Sequence, residues 1–182
     1  MHRNHLLQLL RSYRARDARD RECRERFIEF VGSHPDCCER TLAIGHVTGS
    51  AWITNHPRTR FLLTFHKKLG LWLQLGGHAD GETDLVAVAL REAREESGLA
   101  EIALVSEEIF DLDIHLIPAG NGVPQHYHYD VRFLCEADDA APLAISDESH
   151  DLRWLNREEV AARTLEESIL RMLRKTQVAV SE

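Results

Sequence analysis

Hydrophobic and polar residues follow two different periods along this chain of 182 residues, one typical of strands and one typical of helices. A period near 3.6 predicts a long helix over residues 2–31 and a second helix over residues 84–97. Between them, short apolar runs bounded by Gly, Pro and Asn predict strands over residues 46–55, 60–65 and 71–75. The chain is therefore expected to begin as a helix and to continue into a strand-rich region.

The second half of the chain has the same mixed pattern. Two β-rich segments, residues 102–117 and 125–136, flank a turn with Gly and Pro, and we expect them to pair as a hairpin. A short strand at 152–155, a helical turn at 156–160 and a last helix at 165–175 complete the pattern. This order of elements predicts an α/β fold in which a mixed sheet lies between helices.

The length of the chain fits one domain with an appendage. We expect residues 1–40 to form an N-terminal helical extension and residues 41–182 to form the main domain. The extension carries apolar stripes, such as the one that includes Leu6 and Leu10. It is expected either to pack on the domain or to make a homodimer contact.

Composition and charge exclude some classes of partner. The net charge of −8 argues against a protein that grips a nucleic acid polymer through its phosphates. No apolar run approaches the roughly 20 residues of a membrane span, and no signal peptide is recognised, so no membrane partner is expected. The four cysteines are not spaced as a disulfide framework and are expected to be reduced thiols in the cytoplasm; a zinc site at Cys37, Cys38 and His34 is the alternative.

Three carboxylates crowd the end of the predicted helix over 84–97. Glu92, Glu95 and Glu96 stand at positions i, i+3 and i+4, so their side chains share one face. They also lie near the C-terminus of the helix, where the macrodipole is already negative, and Gly98 is placed to end the helix. Such a cluster favours a hard divalent cation, because these cations prefer oxygen ligands.

The stretch from Gly77 to Leu99 resembles the Nudix box, the signature G-x5-E-x7-R-E-U-x-E-E-x-G-U of the Nudix hydrolases, in which U is a bulky aliphatic residue. The positions that match are Gly77, Arg91-Glu92, Glu95-Glu96 and Gly98-Leu99. One position departs from the signature, since Thr83 stands where its first glutamate falls and Glu82 comes one residue early. We expect a loop shortened by one residue, with Glu82 still near the start of the helix.

This resemblance implies the Nudix fold, an α/β/α sandwich, and hydrolysis of a diphosphate bond with Mg²⁺ or Mn²⁺. It implies that Glu92, Glu95 and Glu96 are metal ligands, assisted by the carbonyl of Gly77, and that Glu95 is also catalytic. It further implies that Arg91 orients the glutamates, and an i,i+4 pair with Glu95 is geometrically available. Metal chemistry supports this, because cations on the phosphate oxygens neutralise the charge that repels a nucleophile.

Other residues are candidates for catalysis and for substrate binding. Outside the box, Glu148 is the candidate for the base, with Asp147 as the alternative. His126, His128 and Asp130 share one face of a predicted strand, which would suit a substrate or a metal but also an ordinary polar sheet face. The remaining substrate-binding candidates follow the glycines: His78, Asp80 and Glu82.

The substrate is expected to be a nucleoside diphosphate-linked small molecule, and its identity stays open. Two alternatives share the fold. One is a binding or regulatory module without activity, which the shifted Glu82 favours slightly. The other is an enzyme like isopentenyl-diphosphate isomerase, which needs a catalytic cysteine, although Cys135 is not in a matching motif.

Overall fold

The computed structural model describes residues 3–120 and 122–179, with side chains as far as Thr176. The outermost residues of the two predicted domain ranges, 1–2 and 180–182, lie outside the described residues. The helices are α1 (Asn4–Ser12), α2 (Ala18–Ser33), α3 (Leu85–Ser97), α4 (Arg157–Arg163) and α5 (Glu167–Ala179). The strands are β1 (Gly45–Thr54), β2 (Arg60–His66), β3 (Leu71–Leu73), β4 (Leu75–His78), β5 (Ala103–Leu104), β6 (Asp111–Ile117), β7 (His126–Glu136) and β8 (Ser149–Asn156).

Strand β1 is the centre of a single mixed sheet and is buried along its whole length. It pairs in parallel with β7 and antiparallel with β2 and β4. The outer edge of β2 carries β8, and the outer edge of β7 carries β6 and β5. The predicted α/β fold with a mixed sheet between helices is confirmed, and the antiparallel pairing of β6 with β7 confirms the predicted hairpin.

The two faces of the sheet pack against different helices. Odd-numbered residues of β1, such as Val47 and Ile53, belong to a large core shared with α1, α2 and α3. On the other face, Trp52 belongs to a smaller core shared with α4 and α5. Residues of β1 alternate between the two faces, as expected of a strand. The polar residues nearer its start, from His46 to Ser50, lie on the face of Trp52 and leave room for a site there.

The single helix predicted over residues 2–31 is wrong, because α1 and α2 are separated by residues 13–17. Asp17 adopts extended backbone and caps α2, accepting a hydrogen bond from the amide of Asp20 at 2.8 Å. The apolar stripes of both helices are buried, with Leu6, Leu10 and Phe27 inside the main core. Of the two expectations for this extension, the structure thus shows packing on the domain, and the homodimer contact stays a prediction.

The strand predicted over residues 71–75 is also wrong in its extent. Leu71–Leu73 pairs with β2, whereas Leu75–His78 pairs with β1. Gly76 and Gly77 are therefore strand residues and not a turn. Glycines are poor strand formers, so their place in β4 reflects the close approach of neighbouring groups. The segment 102–117 likewise divides into β5 and β6.

A buried ionic cluster binds the helices to the sheet. Asp111 on β6 accepts hydrogen bonds from Arg171 at 2.8 Å and from Lys175 at 2.7 Å, both on α5, and from Arg132 on β7 at 3.2 Å. Lys175 also donates to Asp20 on α2 at 2.7 Å. The cluster thus joins α2, α5, β6 and β7. Within the described ranges, no helix is long and apolar enough to cross a membrane.

Candidate active site

An open cleft of about 450 Å³ lies where the polar half of the sheet face meets β4, the end of α3 and the loop before β8. Both carboxylates and imidazoles line it. The residues that matter for its chemistry are Glu92, Glu96, Glu148, His78, His128 and Asp130.

Helix α3 is held at both ends. Asp84 caps its start, accepting a hydrogen bond from the amide of Ala87 at 3.1 Å. Gly98 ends it in the left-handed conformation, with φ of 70°, and its amide donates to the carbonyl of Arg94 at 2.8 Å. This confirms the predicted role of Gly98. The fixed ends place the last turns of the helix beside β4.

Two glutamates of α3 reach the cleft across the glycines of β4. A Cβ atom at Gly77 would overlap the carboxylate of Glu92, so any other residue there would displace that carboxylate from its present position. The amide of Gly76 donates to the carboxylate of Glu96 at 3.0 Å. Burial, together with the neighbouring carboxylates of Glu92, Glu148 and Glu95, raises the pKa of Glu96 to about 7. A cation placed among these carboxylates would relieve both effects.

Arg91 fixes the position of Glu92, the first of these glutamates along α3. Its guanidinium donates to Glu92 at 2.7 Å and to the carbonyl of His78 at 3.0 Å, which ties α3 to β4. The sequence suggested a pair with Glu95, whereas the structure shows the pair with Glu92. Glu95 itself is exposed and is not among the described residues that line the cleft.

The loop that departs from the signature turns its carboxylates away from the cleft. Asp80, with a positive φ of 50°, forms an ion pair with Arg40, and Arg40 in turn lines the cleft. The Glu82 carboxylate accepts hydrogen bonds from the amides of Thr83 at 2.7 Å and Asp84 at 2.9 Å. Glu82 thus lies at the junction of loop and helix, as expected, and stabilises it there.

Glu148 faces the carboxylates of α3 from the loop before β8. It is exposed and lines the cleft. Its carbonyl accepts a hydrogen bond from the amide of Lys67 at 2.9 Å, which anchors the loop to the end of β2. The carbonyl of Asp147, the alternative candidate, accepts from the ammonium of Lys67 at 2.8 Å. Asp147 is exposed and lies outside the described cleft lining.

His126, His128 and Asp130 share one face of β7, as strand geometry predicts. The carboxylate of Asp130 is fully engaged, since it accepts from Thr48 at 2.9 Å, from Ser50 at 2.7 Å and from Arg132 at 2.7 Å. It also accepts from Gln74 at 3.0 Å. These hydrogen bonds fix the Asp130 side chain in the floor of the cleft. Its carboxylate oxygens therefore have little remaining capacity to bind a ligand.

The structure adds two histidines that sequence reasoning missed. His46 on β1 and His115 on β6 lie opposite His128 in register. The ring of His128 lies 4.8 Å from that of His46 and 5.1 Å from that of His78, measured between centroids. Burial and the neighbouring histidines lower the pKa of His46 to about 4 and of His128 to about 2, so both are neutral at neutral pH.

A sequence pattern could have indicated these two residues. His46, Thr48 and Ser50 alternate with apolar or small residues along β1, and Asp113 and His115 do so along β6. Alternation of polar residues marks a polar sheet face, although it does not tell which strands become neighbours.

A family model described as the NUDIX domain matches residues 46–176. A search of curated proteins finds no significant match.

Solved structures with the same fold include three of wide taxonomic origin. The MutT protein from Methanosarcina mazei Go1 superposes with a TM-score of 0.60 at 18% identity, over 78% of this chain and 99% of that one. The Caenorhabditis elegans Ap4A hydrolase binary complex gives a TM-score of 0.58 at 18% identity, over 74% of this chain and 97% of that one. The NUDIX domain of Shewanella oneidensis NrtR, complexed with ADP-ribose, gives 0.56 at 18% identity, over 84% and 97%.

Proposed function

Because this chain belongs to the Nudix hydrolases, enzymes that act on diphosphate bonds, we propose that it cleaves the diphosphate of a nucleoside diphosphate-linked small molecule with Mg²⁺ as cofactor. One observation carries the proposal. Glu92, Glu96 and Glu148 meet in one cleft, although like charges at such positions repel one another. A protein gains from that arrangement when a cation binds there.

The residues present fit a hard divalent cation. Carboxylate and backbone carbonyl oxygens are the ligands that Mg²⁺ and Mn²⁺ prefer. We assign the inner ligand positions to Glu92 and Glu96, with the carbonyl of Gly77 beside them. Glu95, the third ligand that the signature implies, is exposed, so we assign it an outer position. When bound, the cation would neutralise the charge of the diphosphate and acidify a water molecule.

We assign the other roles in the reaction to side chains of the protein. Glu148, across the cleft from α3, is our candidate to accept the proton of the attacking water. Arg91 positions Glu92 through their 2.7 Å ion pair and does not need to touch the substrate. Arg40 and Lys68 line the cleft as cations that can attract an anionic substrate.

The size of the cleft and the relatives indicate the class of substrate. A volume of about 450 Å³ lies in the usual range for small-molecule sites. Two of the similar structures are named for Ap4A hydrolysis or carry ADP-ribose, and both molecules contain a nucleoside attached to a phosphate chain. His78, His126 and His128 remain proposed substrate contacts, whereas Asp80 is paired with Arg40 and Glu82 with backbone amides of its own loop. Of these, His78 and His128 line the cleft.

Two other functions are less well supported. An isomerase of the isopentenyl-diphosphate type needs a reactive cysteine, but Cys135 is fully buried and burial raises the pKa of its thiol to about 12. A binding module without activity would not need Glu148 opposite Glu92 and Glu96. We also propose a cytoplasmic location, because the four cysteines are buried thiols without disulfides in the described structure.

The test is hydrolysis of a panel of diphosphates with and without Mg²⁺, including ADP-ribose, Ap4A, sugar nucleotides and nucleoside triphosphates. We expect Mg²⁺-dependent product release from at least one of them. Glu96→Gln should lower the rate by more than about 100-fold, since charge stabilisation by a metal is worth several kcal/mol. The matched control is Glu107→Gln, which neutralises an exposed glutamate outside the cleft lining.

The control variant should keep the wild-type rate. Full activity of Glu96→Gln would show that our metal assignment is wrong. No activity on any member of the panel would favour the binding module.

A further inference from the structure

We propose that His46, His78 and His128 form a second metal site, a three-histidine centre for a divalent transition metal such as Zn²⁺. It is distinct from the carboxylate site for Mg²⁺ and does not depend on the diphosphate assignment. The three residues come from three different strands, β1, β4 and β7, so the sheet itself positions them.

The nitrogen atoms are close enough to share one ion. One ring nitrogen from each histidine can be chosen such that all three lie within 4.8 Å of one another. In a tetrahedral zinc site with bonds of 2.0–2.1 Å, ligand nitrogens lie roughly 3.4 Å apart. Ring rotations that move each nitrogen by about an ångström would therefore close the site. Such movements keep the backbone of the three strands in place.

The hydrogen bonding of these rings points to a ligand. His46 is only 3% exposed, and neither of its ring nitrogens makes a hydrogen bond of good geometry with a described residue, although the ring lies close to the backbone of Leu42. The Nε2 atom of His128 is also buried without a partner there. Buried polar atoms are rarely left unsatisfied, because burial without a hydrogen bond is costly. A metal ion would coordinate one nitrogen of each ring and so satisfy one of these atoms in His46 and one in His128.

The type of ligand distinguishes this site from the carboxylate site. Neutral imidazole nitrogen suits Zn²⁺, Co²⁺, Ni²⁺ and Cu²⁺, whereas carboxylates and carbonyls suit Mg²⁺. His46 and His128 are uncharged at neutral pH, so their lone pairs are available for a metal. The two sets of ligands lie on the same cleft and would select different cations.

Two further histidines lie beside the three proposed ligands, and each is held by a hydrogen bond of its own. His115 lies opposite His128, and its Nδ1 lies 3.2 Å from the carboxylate of Asp113. The Nδ1 of His126 lies 2.9 Å from the carbonyl of Pro124, and its ring lies 4.9 Å from that of His46.

The centre has the form of an open site. Three protein ligands leave a fourth position of a tetrahedral metal for water or a ligand group, as in catalytic zinc sites. His78 and His128 both line the cleft, so the fourth position faces the space in which a substrate would bind.

The cysteine site weighed from the sequence is the weaker candidate. Cys37 and Cys38 are buried with their sulfur atoms 3.9 Å apart, and the Nδ1 of His34 lies 2.9 Å from the carbonyl of Phe30. Within the described ranges, these histidines are the only group of three or more His, Cys, Asp or Glu side chains whose ligand atoms all lie within 4.8 Å of one another.

The test measures metal content and metal spectra of the full chain without an affinity tag of histidines. After treatment with a chelator, the protein is titrated with Co²⁺, whose visible bands are strong in four-coordinate sites and weak in six-coordinate oxygen sites. We expect one equivalent to produce strong bands, and one Zn²⁺ to displace it. X-ray absorption of the zinc form should show nitrogen or oxygen neighbours at about 2.0 Å and no sulfur.

Variants identify the ligands. His46→Asn should weaken Co²⁺ binding by more than about 100-fold, because loss of an outer partner alone typically costs 10–100-fold. His5→Asn, at an exposed position on α1, is the matched control and should bind normally. Glu96→Gln should also keep the strong bands, since the two sites are separate. Circular dichroism confirms folding, and His78→Asn serves as a second ligand variant at a less buried position.

Four results would overturn the proposal. They are the absence of strong bands, unchanged binding by folded His46→Asn and His78→Asn, loss of the bands in Glu96→Gln, and sulfur in the zinc shell. None of these measurements depends on catalysis, so failure of the metal site and failure of the hydrolase assignment are distinguishable.

Discussion

Gly77 illustrates how single residues decide the shape of the cleft. Its missing side chain leaves the space that the Glu92 carboxylate occupies. We predict that Gly77→Ala lowers Mg²⁺-dependent hydrolysis by at least about tenfold, because the new methyl group displaces a proposed ligand and positioning errors of this size are costly. Stability should change little, since the displaced atom is the end of a flexible side chain.

Gly49→Ala is the matched control on the neighbouring strand. A Cβ there would lie 3.0 Å from the side chain of Val88 and 3.1 Å from the carbonyl of Leu85, inside the core. It should cost about 1–3 kcal/mol of stability through overpacking. Steady-state rates and thermal melts of both variants separate the two effects. If the Gly77→Ala enzyme kept the wild-type rate, the assignment of Glu92 as a metal ligand would be wrong.

For single residues, the sequence predicted the site correctly where the motif sets the spacing between glutamates. Helical periodicity placed Glu92 and Glu96 on one face, and the structure brings both to the cleft. The exposure of Glu95 was not predictable, because it depends on how α3 is rotated against β4. The role of Glu82 was not predictable either, since its carboxylate binds backbone amides of its own loop.

The helices and strands are held together by the ionic cluster around Asp111. Asp111 is buried beside Arg132, Arg171 and Lys175, which lower the pKa of its carboxyl despite the opposing effect of burial. The other charged groups that face it include Asp20, through Lys175, and Asp113. The unfolded chain therefore binds a proton at higher pH than the folded protein.

This difference predicts the pH dependence of stability. The stabilisation from Asp111 should be complete above the unfolded pKa of about 4 and should be lost as the pH falls below it. At neutral pH, Asp111→Asn should cost about 3–5 kcal/mol, because it leaves buried cations unpaired. The gap between wild type and variant, measured by urea unfolding of the metal-free protein, should narrow below pH 4. Asp36→Asn, at an exposed site, should show no such gap, and a constant gap for Asp111→Asn would contradict the pairing.

Helices and strands were predicted well where the hydrophobic pattern and the residues at the element's ends indicate the same boundaries. The predicted range of β1 differs from the structure by one residue at each end, and those of β2 and α3 differ by one residue at one end. The break between α1 and α2 was missed, because residues 14–22 contain no Gly or Pro that would mark it, and only Asp17, which caps the second helix, signals the boundary. The division between β3 and β4 was missed because both are short and pair with different strands.

For the molecule as a whole, the order of elements was sufficient to predict the fold, and the family comparison agrees with it. The histidine cluster could not be predicted, because it depends on register across β4, β1, β7 and β6, which no local pattern contains. The division into residues 1–40 and 41–182 stays a prediction. The extension packs its apolar residues into the core of the domain.

The central claim is that a cation at Glu92 and Glu96 receives a diphosphate in this cleft. The most direct measurement is a crystal structure with Mn²⁺ and a nonhydrolysable analogue of a diphosphate that the enzyme cleaves, with manganese located by its anomalous scattering. We predict manganese bound to Glu92 and Glu96 and to phosphate oxygens, with Glu148 facing the bond to be cleaved. Manganese and diphosphate bound away from these carboxylates would contradict the account.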